Sequence, residues 1–183
     1  MSQVQYKVLY RGSAELFDKI DVSKGRPRKD FGKGFYLAVS KQQAIKVMRK
    51  KYFEMLNRRP RRSKEGLVKA LYSITVDTDA LSSMKVKIFE KADIEWFDFI
   101  LKCRRSEKVI HDYDVVIGPT ADDDTMLVIK SLFDNFYGDW WTKKAKEKAL
   151  EVLHPERLGV QWFVFKPQIV SRLVKKMEVE RYD

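Results

Sequence analysis

Hydrophobic and polar positions along this chain change period several times, from strand-like runs to three-four helical repeats and back. Residues 5–10, Gln-Tyr-Lys-Val-Leu-Tyr, carry β-favouring side chains and predict a strand ending at Arg11-Gly12-Ser13. A Gly- and charge-rich loop from Asp21 to Gly34 leads into a short strand, Phe35-Tyr36-Leu37-Ala38. Ser40 suits the N-cap of the next helix, because its hydroxyl can satisfy an orphan backbone donor. In that helix Ala44, Val47, Met48, Lys51, Tyr52, Met55 and Leu56 share one face, and Lys46, Arg49, Lys50 and Arg58 lie opposite. Pro60 closes it, leaving Arg58-Arg59-Pro60-Arg61-Arg62 as an exposed basic turn. Strands are predicted at 67–76, 84–89, 112–118, 160–165 and 173–179, and helices at about 92–104, from 122 onward and at 140–153. The carboxylates of Asp122-Asp123-Asp124 suit the positive end of a helix dipole. Strands and helices mix without regular βαβ alternation, which predicts an α+β domain.

A length of 183 residues fits one domain, taken here as 1–183, with 44% apolar and 13% aromatic residues to build its core. No apolar run is long enough to span a bilayer, and the first residues lack a signal-peptide core, so a cytoplasmic protein without membrane contact is expected. Cys103 is the single cysteine, and His111 and His154 are the only histidines, so neither disulfides nor a metal centre is expected. The net charge of +11 changes the picture, because it is concentrated. Residues 24–69 hold sixteen Lys and Arg against Asp30, Glu54 and Glu65, whereas the rest of the chain is slightly acidic. A solvated helix face accounts for part of this basic loop-and-helix segment. A footprint for a polyanion accounts better for the clustering. Arg49, Lys50, Arg58, Arg59, Arg61 and Arg62 are the candidate nucleic-acid-binding residues, with Arg26, Arg28 and Lys29 flanking them. Phe53 and Tyr52 could add base stacking, although helical spacing places Tyr52 in the core.

No phosphate-binding P-loop, dinucleotide fingerprint or serine-hydrolase elbow is present. Gly32-Lys33-Gly34 alone reads as a tight turn into a strand. In context, Phe31-Gly-Lys-Gly-Phe-Tyr-Leu-Ala38 followed by Ser40-Lys41 resembles the second signature of the poly-ADP-ribose-polymerase-type ADP-ribosyltransferases. Leu9-Tyr10-Arg11-Gly12-Ser13 resembles the first signature of that superfamily, an edge strand ending in His-Gly-Ser or Arg-Gly-Ser. Gly159-Val-Gln-Trp-Phe-Val-Phe165 looks like the third, whose strand begins with a catalytic carboxylate, and that position falls on Gln161. The middle of the chain, with Trp96 and Tyr113 to Asp122, is similar to a bacterial subfamily recorded mainly as a domain of unknown function.

The resemblance implies an ADP-ribosyltransferase-like split mixed β-sheet with flanking helices, and NAD as co-substrate without a metal. It implies catalytic roles for Arg11, Tyr36 and Gln161, and NAD contacts from Arg11, Gly12, Ser13, Lys33 and Tyr36, with Arg28 a further diphosphate candidate. Gly12 would let the backbone meet the carboxamide, Arg11 would donate to ribose or diphosphate, and Tyr36 would face the nicotinamide. Glutamine at 161 keeps the ribose hydrogen bond but supplies no charge. Either the enzyme works with amide assistance or with a carboxylate from elsewhere, Asp122 or Glu95 being nearest by motif, or the site is a degenerate binder. The expected function is mono-ADP-ribosylation of RNA or DNA by a toxin-like, toxin–antitoxin or phage-defence protein with a cognate antitoxin or inhibitor. The alternatives are a protein acceptor and a catalytically degenerate module that binds NAD or nucleic acid.

Overall fold

The computed structural model describes residues 8–58, 66–121, 123–153 and 158–183. Seven strands form one sheet: β1 (Val8–Ser13), β2 (Phe35–Ala38), β3 (Lys69–Val76), β4 (Val86–Ile88), β5 (Val115–Pro119), β6 (Val160–Val164) and β7 (Val174–Tyr182). Their spatial order is β4-β5-β6-β2-β1-β3-β7. Only β4 and β5 run parallel, so the sheet is mixed. Five α-helices accompany it: α1 (Lys41–Arg58), α2 (Ile94–Arg105), α3 (Asp123–Phe133), α4 (Lys143–Val152) and α5 (Pro167–Leu173). The expected α+β class is what forms.

Strand alternation sorts the side chains onto two faces. One face carries Tyr36, Phe163 and Val116 beneath a core with Trp96, Phe97, Ile100, Leu132 and Ala149 from α2, α3 and α4. On that same face α1 covers the β1–β3 half, where Ala44 and Met48 pack against Leu71, Tyr10 and Ala38. The other face, with Leu9, Phe35, Leu37, Tyr72, Ile74 and Trp162, is closed by α5 through Ile169 and Leu173 and by Phe17, Ile20 and Val22. Edge strand β7 is largely exposed and charged, which discourages pairing with another chain.

Local chemistry explains the element boundaries. The Ser40 hydroxyl accepts from the Gln43 amide at 3.3 Å, the capping its position predicts. Asp93 caps α2 by accepting from the Trp96 amide, and Thr142 caps α4 by accepting from Ala145. β2 has the predicted bounds. Pro119, expected to end β5, is instead its last paired residue, opposite Val160, where no strand donor is required of it. Residues 5–7, Pro60, Asp122 and His154 lie outside the described residues.

Candidate functional site

β1 and β2 are neighbours, yet they meet at one register position, Tyr10 opposite Ala38. Beyond it toward Ser13 the two strands part, whereas β1 stays paired with β3 from Val8 through Ser13. A side chain is needed to fill the opening. Arg11 does so: its Nη1 donates to the Tyr36 carbonyl at 2.9 Å, and its guanidinium lies 4.2 Å from the centre of the Phe35 ring. Burial pulls its pKa down to about 10.

Gly12 points to the opposite face and lies directly beneath α1. A Cβ there would come within 2.1 Å of the Ala44 carbonyl oxygen and 2.7 Å of the Met48 Cβ. Close packing of α1 on β1 therefore already requires glycine at this position. The Gly12 carbonyl accepts from Lys51 Nζ at 3.2 Å. Ser13 ends the strand with a turn of its own, its hydroxyl donating to the Glu15 carbonyl at 2.7 Å.

On β6, Gln161 lies opposite Ala38 of β2 and Gly118 of β5, on the same face as Tyr36. It is a buried polar side chain, only 7% exposed. Its Nε2 donates to Asp30 Oδ2 at 2.7 Å and to the Pro119 carbonyl at 3.3 Å. Both partners are pure acceptors, so the amide orientation is determined. Oε1 is turned away from them, has no donor among the described residues and is not a sealed atom of the core.

Asp30 is the residue that sequence reasoning missed. It is 5% exposed, and besides Gln161 it binds the Arg104 guanidinium and accepts from the Ala121 amide at 3.0 Å. The carboxylate beside Gln161 thus comes from the loop before β2. Glu95, one of the expected sources, is instead paired with Lys87, and Asp122, the other, lies outside the described residues. Asp30 was legible only as one of three acids in a basic stretch, and no local pattern announced its contact across 131 residues.

The Tyr36 hydroxyl closes the loop ahead of it. It accepts from the Phe31 amide at 3.0 Å and donates to the Gly32 carbonyl at 2.7 Å. Gly32 has φ +96°, a backbone conformation that a residue carrying a Cβ would resist. The Tyr36 ring packs 5.0 Å from Phe163, and burial raises its pKa well above the ordinary tyrosine value. Its hydroxyl is fully employed, so only its half-buried ring can meet a ligand. Lys33 is exposed, its charge felt by Asp21, and Arg28 is paired with Glu107 at 2.9 Å.

The structure therefore gathers Arg11, Gly12, Ser13, Tyr36 and Gln161 onto three adjacent strands. Tyr36 and Gln161 share a face, and Arg11 sits in the gap with its ring contact on the other. Along α1, Lys46, Arg49, Lys50, Phe53 and Arg58 form an exposed outer strip, while Tyr52 is packed against Phe53 and under Lys69. Arg59, Arg61 and Arg62 lie outside the described residues. No group of three or more metal-ligating side chains occurs among the described residues, and none of their helices is long and apolar enough to cross a membrane.

A mixed sheet with a gap between two central strands, and polar residues from three strands around it, defines an α+β protein with a built polar site. The chain belongs to the family described as "Protein of unknown function (DUF3990)", whose model matches residues 7–174. That span contains all the site residues named above. No curated protein and no solved structure matches the chain.

Proposed function

We propose that this protein is an NAD-dependent mono-ADP-ribosyltransferase acting on a nucleic acid, with an ADP-ribosyltransferase-like split sheet. The observation that carries the reading is the placement of the three signature segments. They are distant in sequence, yet they occupy neighbouring strands β1, β2 and β6, and Gln161 presents an oriented acceptor, without a donor among the described residues, on the same face as Tyr36. The exposed strip of α1, with Phe53 among Lys46, Arg49 and Arg58, supports a single-stranded acceptor through phosphate contacts and base stacking.

In this reading Gln161 Oε1 accepts the 2′-hydroxyl of the NAD ribose. Donation of its Nε2 to the Asp30 carboxylate polarises the amide and places more negative charge on Oε1, partly replacing the glutamate of the resemblance. The C1′–nicotinamide bond breaks with its electron pair going to the nicotinamide, which leaves neutral. An acceptor oxygen or nitrogen then bonds to C1′ and releases its proton to solvent. Arg11 holds polar groups of the donor with the guanidinium N–H groups that Tyr36 leaves over. The Tyr36 ring supports the nicotinamide face.

The test is transfer of label from NAD to RNA, DNA and protein pools by wild type, Gln161→Ala and Gln161→Glu. Gln161→Ala removes a buried acceptor and should slow transfer by roughly 5- to 150-fold, the equivalent of about 1–3 kcal/mol. Gln161→Glu should also lose activity, because it replaces an N–H donor to Asp30 with a second carboxylate. Label entering the protein pool alone would redirect the acceptor assignment. Absence of turnover, with RNA still bound, would make the protein a binding module.

A further inference from the structure

One side of α2 carries residues that neither the sheet nor the β1–β2–β6 site uses. Asp98, Leu101, Lys102 and Arg105 follow the three-four spacing of a helix face, and with Ser106, Trp140 and Lys146 they line a cleft of about 450 Å³ between α2 and α4. Leu101 and Trp140 give the cleft apolar walls. Lys146, its side chain 14% exposed, is matched by Asp98 at 2.6 Å. The side chains of Lys102 and Arg105 have no carboxylate or other acceptor among the described residues. The Arg105 guanidinium instead lies over the Trp140 ring, 4.6 Å from its centre, and 5.9 Å from that of Phe133. Stacking occupies the face of the guanidinium and leaves its N–H edge for an acceptor. Cations in the last turn of α2 also suit the helix dipole, but the dipole calls for neither an indole against one of them nor a cleft beside it. Next to the cleft, the Trp141 ring meets Trp140 edge to face at 5.9 Å and is 59% exposed.

We propose that the α2–α4 cleft and Trp141 bind single-stranded nucleic acid, one nucleotide in the cleft beside the Arg105–Trp140 stack and the next base on Trp141. Two unmatched cations fix the sign of the occupant as negative, and the aromatic wall favours a planar group. The volume lies in the range of sites for small groups, which suits a single nucleotide. An exposed indole continues the aromatic surface beyond the cleft, which favours a strand over a free nucleotide. The cleft lies over the β4–β6 half of the sheet face and the basic strip of α1 over the other half, so these are separate contacts. The site rests on the nucleic-acid acceptor of the transferase reading and is independent of NAD as donor.

The probe is a fluorescent, unstructured oligonucleotide, titrated by anisotropy without NAD into wild type, Lys102→Gln, Arg105→Gln and Trp141→Ala. Lys176→Gln, on edge strand β7, is the distant control. Trp141→Ala should weaken binding by roughly 5- to 150-fold, the loss of one stacked base, with little change in salt dependence. Lys102→Gln and Arg105→Gln should each lower the log–log salt slope by about 0.7, one phosphate contact, and Lys176→Gln should change neither quantity. Lys102 and Trp141 are exposed, which keeps the test valid if Arg105→Gln loosens Trp140. No binding in wild type, unchanged affinity in either Trp141→Ala or Lys102→Gln, or an equal loss in Lys176→Gln would overturn the site. Displacement of the oligonucleotide by poly-glutamate as readily as by unlabelled strand would also overturn it, and would make the cleft a surface for an acidic protein. Binding that the cleft variants weaken, with no NAD turnover in wild type, would remove the transferase reading alone. Label transfer to nucleic acid that the cleft variants leave unchanged in rate and affinity would remove the cleft alone.

Discussion

Two charged regions, one around the buried Asp30 and one around the half-buried Lys51, are built on opposite principles. Around Asp30 every charge is matched: Arg104 pairs with the carboxylate, and the Ala121 amide and Gln161 complete it. Around Lys51 the charges are all of one sign apart from Glu54. The same loop supplies both, since Lys29 contributes to the second cluster and the next residue, Asp30, to the first. A matched buried pair holds parts of a fold together, because removing either partner strands the other. Like charges brought together in a partly buried place oppose folding through mutual repulsion and desolvation, which is what lowers the Lys51 pKa.

The largest way to break this comparison is through the matched side. Asp30→Ala strands the largely buried Arg104 guanidinium, removes the acceptor of the Ala121 amide and leaves Gln161 only its longer bond to the Pro119 carbonyl. A cost of about 3–5 kcal/mol is expected, read as a fall in the denaturant midpoint. Arg104→Met combined with Asp30→Asn should recover much of it, because an amide still accepts from Ala121 and no lone charge remains. A single Asp30→Ala that unfolds like wild type would show that the ion pair does not hold the loop.

How much of this was legible in sequence follows the same division. Period and capping gave β2 and the start of α1, because both are fixed by neighbours a few residues away, as the Ser40 cap shows. The segments Arg11–Ser13, Tyr36 and Gln161 were legible as motifs, and their strands are adjacent. The faces they use were not. Gly12 was expected to serve a ligand alone, but α1 packing also requires it, a constraint visible only when Ala44 and Met48 are in place. Asp30 was hidden for a different reason. It looks like one more charge in a basic stretch, and only tertiary contacts with Arg104 and Gln161 distinguish it from solvated neighbours, whereas helical period already set Lys51 on the apolar face of α1.

A smaller effect sharpens the role of the loop between the two clusters. Tyr36→Phe removes one hydroxyl and keeps the ring against Phe163. The Phe31 amide and Gly32 carbonyl then lose their partners, at a cost of about 1–3 kcal/mol. If Tyr36 acts on a ligand through its ring, NAD turnover per folded molecule should change little while the melting temperature falls. A variant that kept wild-type stability but lost turnover would reassign the hydroxyl to chemistry.

The finest distinction between the clusters is their response to pH. In the unfolded chain Lys51 has its ordinary pKa of 10.5, and in the folded protein burial and neighbouring cations lower it to about 7. Between those values the unfolded state binds the extra proton, so stability rises with pH. One such group contributes at most about 1.4 kcal/mol per pH unit. Arg11, which faces Lys51, does not blur the lower part of this window, because its folded pKa is about 10. Lys29, also lowered, adds to the slope in the same direction, and Glu54 opposes only the size of the shift. Elsewhere in the protein, His111 is lowered from 6.5, and Cys103 is raised from 9.0 to about 12, so its opposite contribution begins above pH 9. Denaturation midpoints measured from pH 7 to 9 should therefore climb in wild type and flatten in Lys51→Met. Parallel slopes in wild type and variant would mean that Lys51 keeps its ordinary pKa in the folded protein, and the contrast between a matched and an unmatched cluster would disappear.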